Sequence, residues 1–473
     1  MTQSNPYPYL PGKGALTARL IRFALPIIGS GVVQQSFNSV DVAVVGQFVG
    51  DHALAAVGAN GPVISLIVTL FMGIALGANV VISRYLGAGN GEGVRRAVAT
   101  QGIMALICSV ILLLTGVLSA RPLLEMLDTP AEVIDAATLY LKIYALGFPA
   151  MLIYNFVSAV LRSVGDTTRP FYWLIGGGLV NVALNLWLVL SLGMGVEGVA
   201  IATVTSNVVA AAGVTWNLCH EKGDIRLHLR RLRLYASELR SMIAIGIPAG
   251  LQGSVFALSN VIIQSAINGF GPKAMAGSAA AVIFEIYAYF IVSALVQAAL
   301  TFVSAAYGAG HTELCRRLMW RCMWIGGAGC AALNLTVATF PDFFASFFTT
   351  DSQALAFAKE RIHIVLMIQF IATSYEVAAG GMRALGYSLT PMFITILGTC
   401  VVRVVWVKVI VPSSFGMLMQ VYPITWLITG TTMLIAWRIV SRRVLGPAAS
   451  CNPKHPFLEK NKIMKIQERS AKL

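Results

Sequence analysis

Long apolar runs, broken at intervals by short polar clusters, make up most of this chain. Residues 53–86, 97–120, 170–193 and 197–219 are the clearest cases. A helix needs roughly 20 apolar residues to cross a bilayer, and each run supplies them. The same criterion along the whole sequence predicts twelve spans, near 17–47, 53–86, 95–120, 133–162, 170–193, 197–219, 238–268, 275–307, 313–340, 356–385, 389–411 and 420–442. Spans four and ten carry the weakest pattern, because both begin in polar stretches. Glycine and proline inside the segments do not count against the reading, since membrane bundles satisfy the backbone groups they free.

Composition agrees with a chain immersed in lipid. Charged residues make up 11% and hydrophobic residues 57%, whereas soluble domains carry about 25% charged residues. The fold class expected is therefore all-α integral membrane.

A motif string occurs twice. Gly87-Ala88-Gly89 returns as Gly308-Ala309-Gly310, and Arg95-Arg96 as Arg316-Arg317, all at an offset of 221 residues. Arg162, Gly165 and Pro170 return as Arg383, Gly386 and Pro391 at the same offset, whereas Pro26 and Pro248 match at 222. A one-residue slip must lie between those prolines and the glycines. Copies of this length indicate a duplicated domain rather than a solenoid array. In a membrane chain, such duplication is the signature of a transporter whose substrate site lies between or within the halves. Six spans per half is an even number, so both copies insert the same way up. They should form two six-helix lobes related by a pseudo-two-fold axis along the membrane normal. The expected organisation is an N-terminal segment 1–16, an N-lobe 17–219, a basic linker 220–237, a C-lobe 238–445 and a polar, disordered tail 446–473.

Charge alternates with loop parity. One set of loops carries Arg84, Arg95 and Arg96, then Arg162 and Arg169, the cluster from Arg226 to Arg240, Arg316, Arg317 and Arg321, and Arg383. The other set carries Asp51, the acidic stretch Glu125 to Asp135, and Asp342 with Asp351. Lys and Arg stay on the cytoplasmic side, so both termini are expected there, in a multi-pass protein of the cell membrane. The net charge of +14 is thus a topology signal and not a nucleic-acid surface, because it forms no single patch. The start of the chain, with Pro6, Pro8 and Pro11, lacks the basic-then-apolar form of a cleaved signal.

Several chemistries are absent from the pattern. GAGNGEG (Gly87 to Gly93) resembles a phosphate cradle, but no Lys-Ser/Thr follows it, and its copy keeps only GAG. The shared part reads as a tight turn. Seven cysteines show no CxxC pair and six histidines no metal spacing; Cys315, Cys322 and Cys330 read as packing residues. No cofactor is expected, and with no nucleotide motif the energy source is expected to be an ion gradient. An enzyme would need a converging catalytic set, and none is present.

The informative residues lie inside the spans, where a charge costs about 2.5–3.5 kcal/mol on insertion scales and is seldom kept idly. Asp41 shares one face of span one with Asn38 and Gln34, at spacings of three and four residues. Asn181 and Asn185 stand one turn apart in span five. Such a cluster suits a proton or a small cation; the plainer reading is interhelical hydrogen bonding. Tyr154 in span four is able to stack a cationic substrate, or simply to pack. In the second half, Ile262 and Ile263 stand where Asp41 would recur, and the charges are elsewhere: Glu285 in span eight, Glu376 in span ten, Arg403 and Lys408 in span eleven. Gln297 lies deeper in span eight, and Gln264 follows Asn260 by one turn. Arg403 is a candidate partner for Glu285 or Glu376, which would make that group structural.

Taken together, the twelve spans in two halves, NSVDVAVVGQ (Asn38 to Gln47), NVALN (Asn181 to Asn185), the GAG turns, and LRSVGDTTRP (Leu161 to Pro170) with MRALGYSLTP (Met382 to Pro391) resemble the multidrug and toxic compound extrusion (MATE) family. The likeness covers about residues 15–445. It implies an antiporter that exports organic, often cationic, amphiphiles in exchange for H+ or Na+, by rocking between outward-open and inward-open states. It also implies the coupling role for Asp41, with Asn181 and Asn185 beside it. Some relatives place an acid where Asn185 stands, and this chain does not. Gln34, Asn38, Tyr154, Glu285, Gln297, Glu376 and Arg403 are the candidates for binding substrate or cation, in a protein expected to work as a monomer. The rival transport reading is a lipid-linked oligosaccharide flippase, which a cationic central groove around Arg403 would favour.

Overall fold

A computed structural model of the protein describes residues 16–126 and 129–446. The N-terminal segment up to residue 15 and the tail from residue 447 lie outside the described residues. Every regular element among those described is helical. Eleven helices are long and apolar enough to cross a membrane. In chain order they are span one (Leu16–Val49), two (His52–Gly87), three (Gly91–Leu118), five (Thr168–Ser191), six (Val196–Cys219), seven (Ala236–Asn268), eight (Pro272–Gly308), nine (Thr312–Thr339), ten (Ser352–Ala384), eleven (Leu389–Ile410) and twelve (Phe415–Leu445). Span four is a pair, Ile134–Leu146 and Phe148–Ser163, bent by 43°. Cys315, Cys322 and Cys330 are buried in span nine.

The two spans with the weakest sequence pattern are both interrupted near their middle. Span four breaks at Gly147, just before Pro149, which has no N–H to continue the ladder. Span ten passes through a 3-10 turn, Leu366–Ile371, at the equivalent place in the second copy. Duplication extends to details that the motifs did not mark. The short helices Ala120–Met126 and Pro341–Ser346 both follow the third span of their half.

The GAG strings are helix stops. Asn90 N–H donates to Tyr85 O (3.0 Å) and Gly89 N–H to Leu86 O (3.1 Å); His311 to Ala306 O (2.9 Å) and Gly310 to Tyr307 O (3.0 Å) repeat the pattern. These are Schellman closures, which need a left-handed residue. Gly89 (φ 68°) and Gly310 (φ 76°) supply it. At the other ends of the molecule caps are made by side chains. Asp351 accepts from the amides of Gln353 (3.0 Å) and Ala354 (2.9 Å) at the start of span ten and pairs with Lys273. Lys273 and these amides hold its carboxyl below the usual carboxylate range.

The halves meet near the GAG turns, hereafter the basic end. A Cβ on Gly87 would fall 1.9 Å from the Ala305 carbonyl oxygen, and one on Gly308 2.1 Å from the Arg84 carbonyl oxygen. Ala305 and Arg84 are themselves equivalent positions, so the contact is self-complementary about the pseudo-two-fold axis. Arg84 reinforces it, donating from Nε (3.2 Å) and Nη2 (2.8 Å) to the Ala384 carbonyl and lying over the Tyr307 ring. Thr301 donates to Asn79 Oδ1 (3.1 Å) across the same seam. Spans two and seven stay in backbone contact through Gly77, Gly73, Gly246 and Gly250, as small residues allow in membrane bundles. Their last polar link is Ser254 to the Leu66 carbonyl (3.2 Å). Beyond it they diverge: Cβ atoms on Gly58 and Gly61 would meet open space, and Pro62, Leu258, Asn260 and Gln264 are exposed. A cleft therefore opens toward the far end.

Candidate ion and substrate site

Span one delivers Gln34, Asn38 and Asp41 along one face because its helix stays regular to Val44. Gln34 and Asn38 are exposed and Asp41 is half-buried. Gly31, on the Asn38 face two turns earlier, packs on the Phe290 ring of span eight. Across from span one, Asn185 of span five donates its side-chain amide to the Asp41 carboxylate. The same amide reaches Asn181 Oδ1 (3.3 Å), and Asn181 in turn donates to Thr203 Oγ1 of span six (3.4 Å). The Thr203 hydroxyl also lies beside the Asp41 carboxylate. Both asparagines are fully buried, and Asn185 Oδ1 has no hydrogen-bond partner. No Lys, Arg or His forms an ion pair with Asp41 among the described residues, while Tyr140 and Tyr144 of span four lie within reach of its charge. One acid, two carboxamides and a hydroxyl thus converge from spans one, five and six. That donor set suits a proton or a small cation held by oxygen atoms.

The backbone is widened just beyond these residues. Val45–Val49 and Trp187–Ser191 are π-helical turns, following Asp41 and Asn185. A π turn is a one-residue insertion in an α-helix and is frequent at functional sites. Span seven has none. Gly31 and Asn38 match Gly253 and Asn260 at an offset of 222, whereas Gly50 and Gly271 match at 221. The one-residue slip between the copies therefore falls between residues 38 and 50, and the π turn of span one accounts for it.

In the second half, Arg403, the candidate partner for Glu285 or Glu376, forms an ion pair with neither. Glu285 is held by Arg361, whose Nε and Nη2 reach its two oxygens at 2.6 and 3.0 Å. Arg361 also donates to Ser278 Oγ (2.6 Å) and to the Tyr422 hydroxyl (3.5 Å). The first helix of span ten places Arg361 at the depth of Glu285, whereas Arg403 approaches from span eleven. Glu376 lies near Arg383 and Tyr289, and Arg383 donates to Gln252 (2.8 Å). Arg403 is 1% exposed and instead donates to Asn260 Oδ1 (2.6 Å) and Ser259 Oγ (3.4 Å), between the rings of Tyr422 and Phe256. Lys408 is exposed at the far end of span eleven. Gln297 lies about 18 Å further along span eight than Glu285, at 1.5 Å per residue.

Tyr154 is placed away from Asp41. Its hydroxyl donates to the Pro170 carbonyl (3.0 Å), and Pro170 is about 22 Å along span five from Asn185 on the same helical rise. Thr203 and Arg361 are the residues that sequence reasoning missed. Thr203 carries no signal in an apolar run, but Arg361 was visible as a charge inside the predicted tenth span.

The MatE family model matches residues 26–187 and 248–407, one copy in each half. The "Probable multidrug resistance protein YoeA" of Bacillus subtilis is 26% identical over 383 residues, 79% of this chain and 82% of that protein. The "Probable multidrug resistance protein NorM" of Thermotoga maritima is 26% identical over 405 residues, 84% and 86%. Among solved structures, an outward-facing conformation of a multidrug resistance MATE family transporter of the MOP superfamily superposes with a TM-score of 0.83 at 21% identity, over 94% of this chain and 99% of that one.

Proposed function

The chain belongs to the MatE family of membrane transporters, and from that premise we propose that it is a secondary active antiporter that expels organic, cationic amphiphilic compounds in exchange for H+ or Na+. The observation that carries this reading is the half-buried Asp41, hydrogen-bonded by Asn185 and without a basic partner among the described residues. Transport against a gradient needs a group whose occupancy differs between two open states. A carboxylate at the edge of a cleft provides it: a proton, a sodium ion or a cationic substrate each removes its net charge, and these ligands compete.

In this reading the basic end faces the cytoplasm, and the cleft that opens at the far end is the exit. Loading Asp41 changes which arrangement of the two lobes is favoured, and a ligand shifts such an equilibrium only by its differential affinity for the two states. The rocker-switch motion then pivots on the glycine seam at the basic end. Exposed Gln34 and Asn38 line the approach to the acid on span one.

The test is efflux of a fluorescent cation from proteoliposomes, with H+ and Na+ gradients imposed separately. Asp41→Asn should retain binding of the dye and lose gradient-driven export to background. Parent-like accumulation by Asp41→Asn, at matched reconstitution, would remove Asp41 from the coupling role.

A further inference from the structure

Within matching groups of spans, the two halves hold charges of opposite sign. In the first half, spans one, five and six surround Asp41. In the second, the equivalent spans seven, eleven and twelve surround Arg403, through Asn260, Ser259 and Tyr422. Asn260 is the repeat counterpart of Asn38, and Arg403 stands at the level of Val182, between Asn181 and Asn185.

Three features set Arg403 apart from a structural arginine. The acids of spans eight and ten have other cationic neighbours, Glu285 in Arg361 and Glu376 in Arg383, and Arg403 forms no ion pair among the described residues. Its Nε is buried and without a hydrogen-bond partner. And its shorter acceptor, Asn260, is exposed on the face of span seven that carries Gly253 two turns earlier, the face that leaves contact with span two where the cleft opens. A buried guanidinium with only neutral partners is costly. Tyr422 and Phe256 lie against it at 4.7 and 5.0 Å, fixing its plane and leaving its edge for a planar anion.

We propose that Arg403 is an anion-binding site, with Asn260 as the exchangeable neutral acceptor in front of it, and that the cleft takes amphiphiles carrying a carboxylate as well as a cationic group. The carboxylate displaces the Asn260 carboxamide from Nη1 and bridges Nη1 and Nη2, which converts one neutral hydrogen bond into a charge-assisted fork. This rests on the reading of the cleft as the substrate path, with the cationic end directed to Asp41.

The test compares two dyes that share one cationic ring system, rhodamine 110 with a free carboxylate and rhodamine 123, its methyl ester. Binding to purified protein in detergent is followed by fluorescence anisotropy, with no gradient present, so a failure of coupled export leaves this result untouched. Arg403→Gln should weaken the free acid by about tenfold and leave the ester unchanged, since a charged hydrogen bond is worth that much. Asn260→Ala, a change at an exposed side chain, should raise the ratio of acid to ester affinity, and it decides the matter if Arg403→Gln does not fold. The proposal is overturned if the parent does not bind the free acid, if Arg403→Gln weakens both dyes alike, or if Asn260→Ala leaves the ratio unchanged or lower.

Discussion

The seam at the basic end makes a quantitative test of how the lobes are held. A methyl group on Gly87 would lie 1.9 Å from the Ala305 carbonyl oxygen, and ordinary contact begins near 3.4 Å. Both sides are backbone, so no side chain is able to swing away, and spans two and eight must part by roughly 1.5 Å or bend. Overpacking of this kind costs about 1–3 kcal/mol. At 1.4 kcal/mol per tenfold change, Gly87→Ala should lower the population closed at the basic end by roughly 5- to 150-fold relative to the alternative state. The far end should close correspondingly. Spin labels on cysteines replacing Gly58 and Leu258, in an otherwise cysteine-free protein, report this directly: Gly87→Ala adds a shorter distance component that the parent lacks. Gly308→Ala should do the same, and the double variant should cost less than the sum, because one separation relieves both clashes. Unchanged distance distributions in folded Gly87→Ala protein would refute the reasoning, for the clash would then have been absorbed without moving the halves.

The buried Glu285–Arg361 pair is 12% and 3% exposed at its side chains. Removing one partner by Glu285→Ala should cost about 3–5 kcal/mol, whereas replacing both by Met should cost much less; thermal unfolding in detergent reads the difference, and additive losses would contradict it. Orientation is decided by labelling whole cells with an impermeant reagent at single cysteines introduced at 132 and 226. Reaction at 132 alone fits a cytoplasmic basic end, and reaction at 226 alone excludes it.

The spans were legible in the sequence because length and apolarity are one-dimensional properties. Even the breaks in spans four and ten left a trace, as the polar stretches that weakened them. The repeat was legible as an offset, and so was its slip, but not the cause of the slip. A π turn is a matter of hydrogen-bond register, and Val45–Val49 looks like any other apolar stretch. Site residues behaved differently. Asp41 and Asn185 stood out because polar groups inside a span are costly, yet their hydrogen bond depends on the rotation of spans one and five about their axes. Thr203 was hidden because a threonine in a membrane helix satisfies itself, as it does here on the Val199 carbonyl (3.0 Å). The pairing of Glu285 failed for a related reason. Arg361, Arg383, Arg403 and Lys408 all lie in the second-half spans, and depth in the bundle, not sequence distance, chose Arg361.

Symmetry and chemistry divide the work between them in this molecule. Gly87 on Ala305 and Gly308 on Arg84 form one contact made twice about an axis, so the seam opens or closes as a unit and cannot by itself tell a loaded site from an empty one. Any preference has to come from positions where the copies differ. Two such positions are charged, form no ion pair among the described residues and lie within matching groups of spans: Asp41, matched by Ile262 and Ile263, and Arg403, matched by Val182. A ligand that meets one of them alters the electrostatics of one lobe only. In the mechanism we propose, that asymmetry is what lets a duplicated scaffold respond differently to a coupling ion and to a substrate, and it places the decision between them in spans one and eleven.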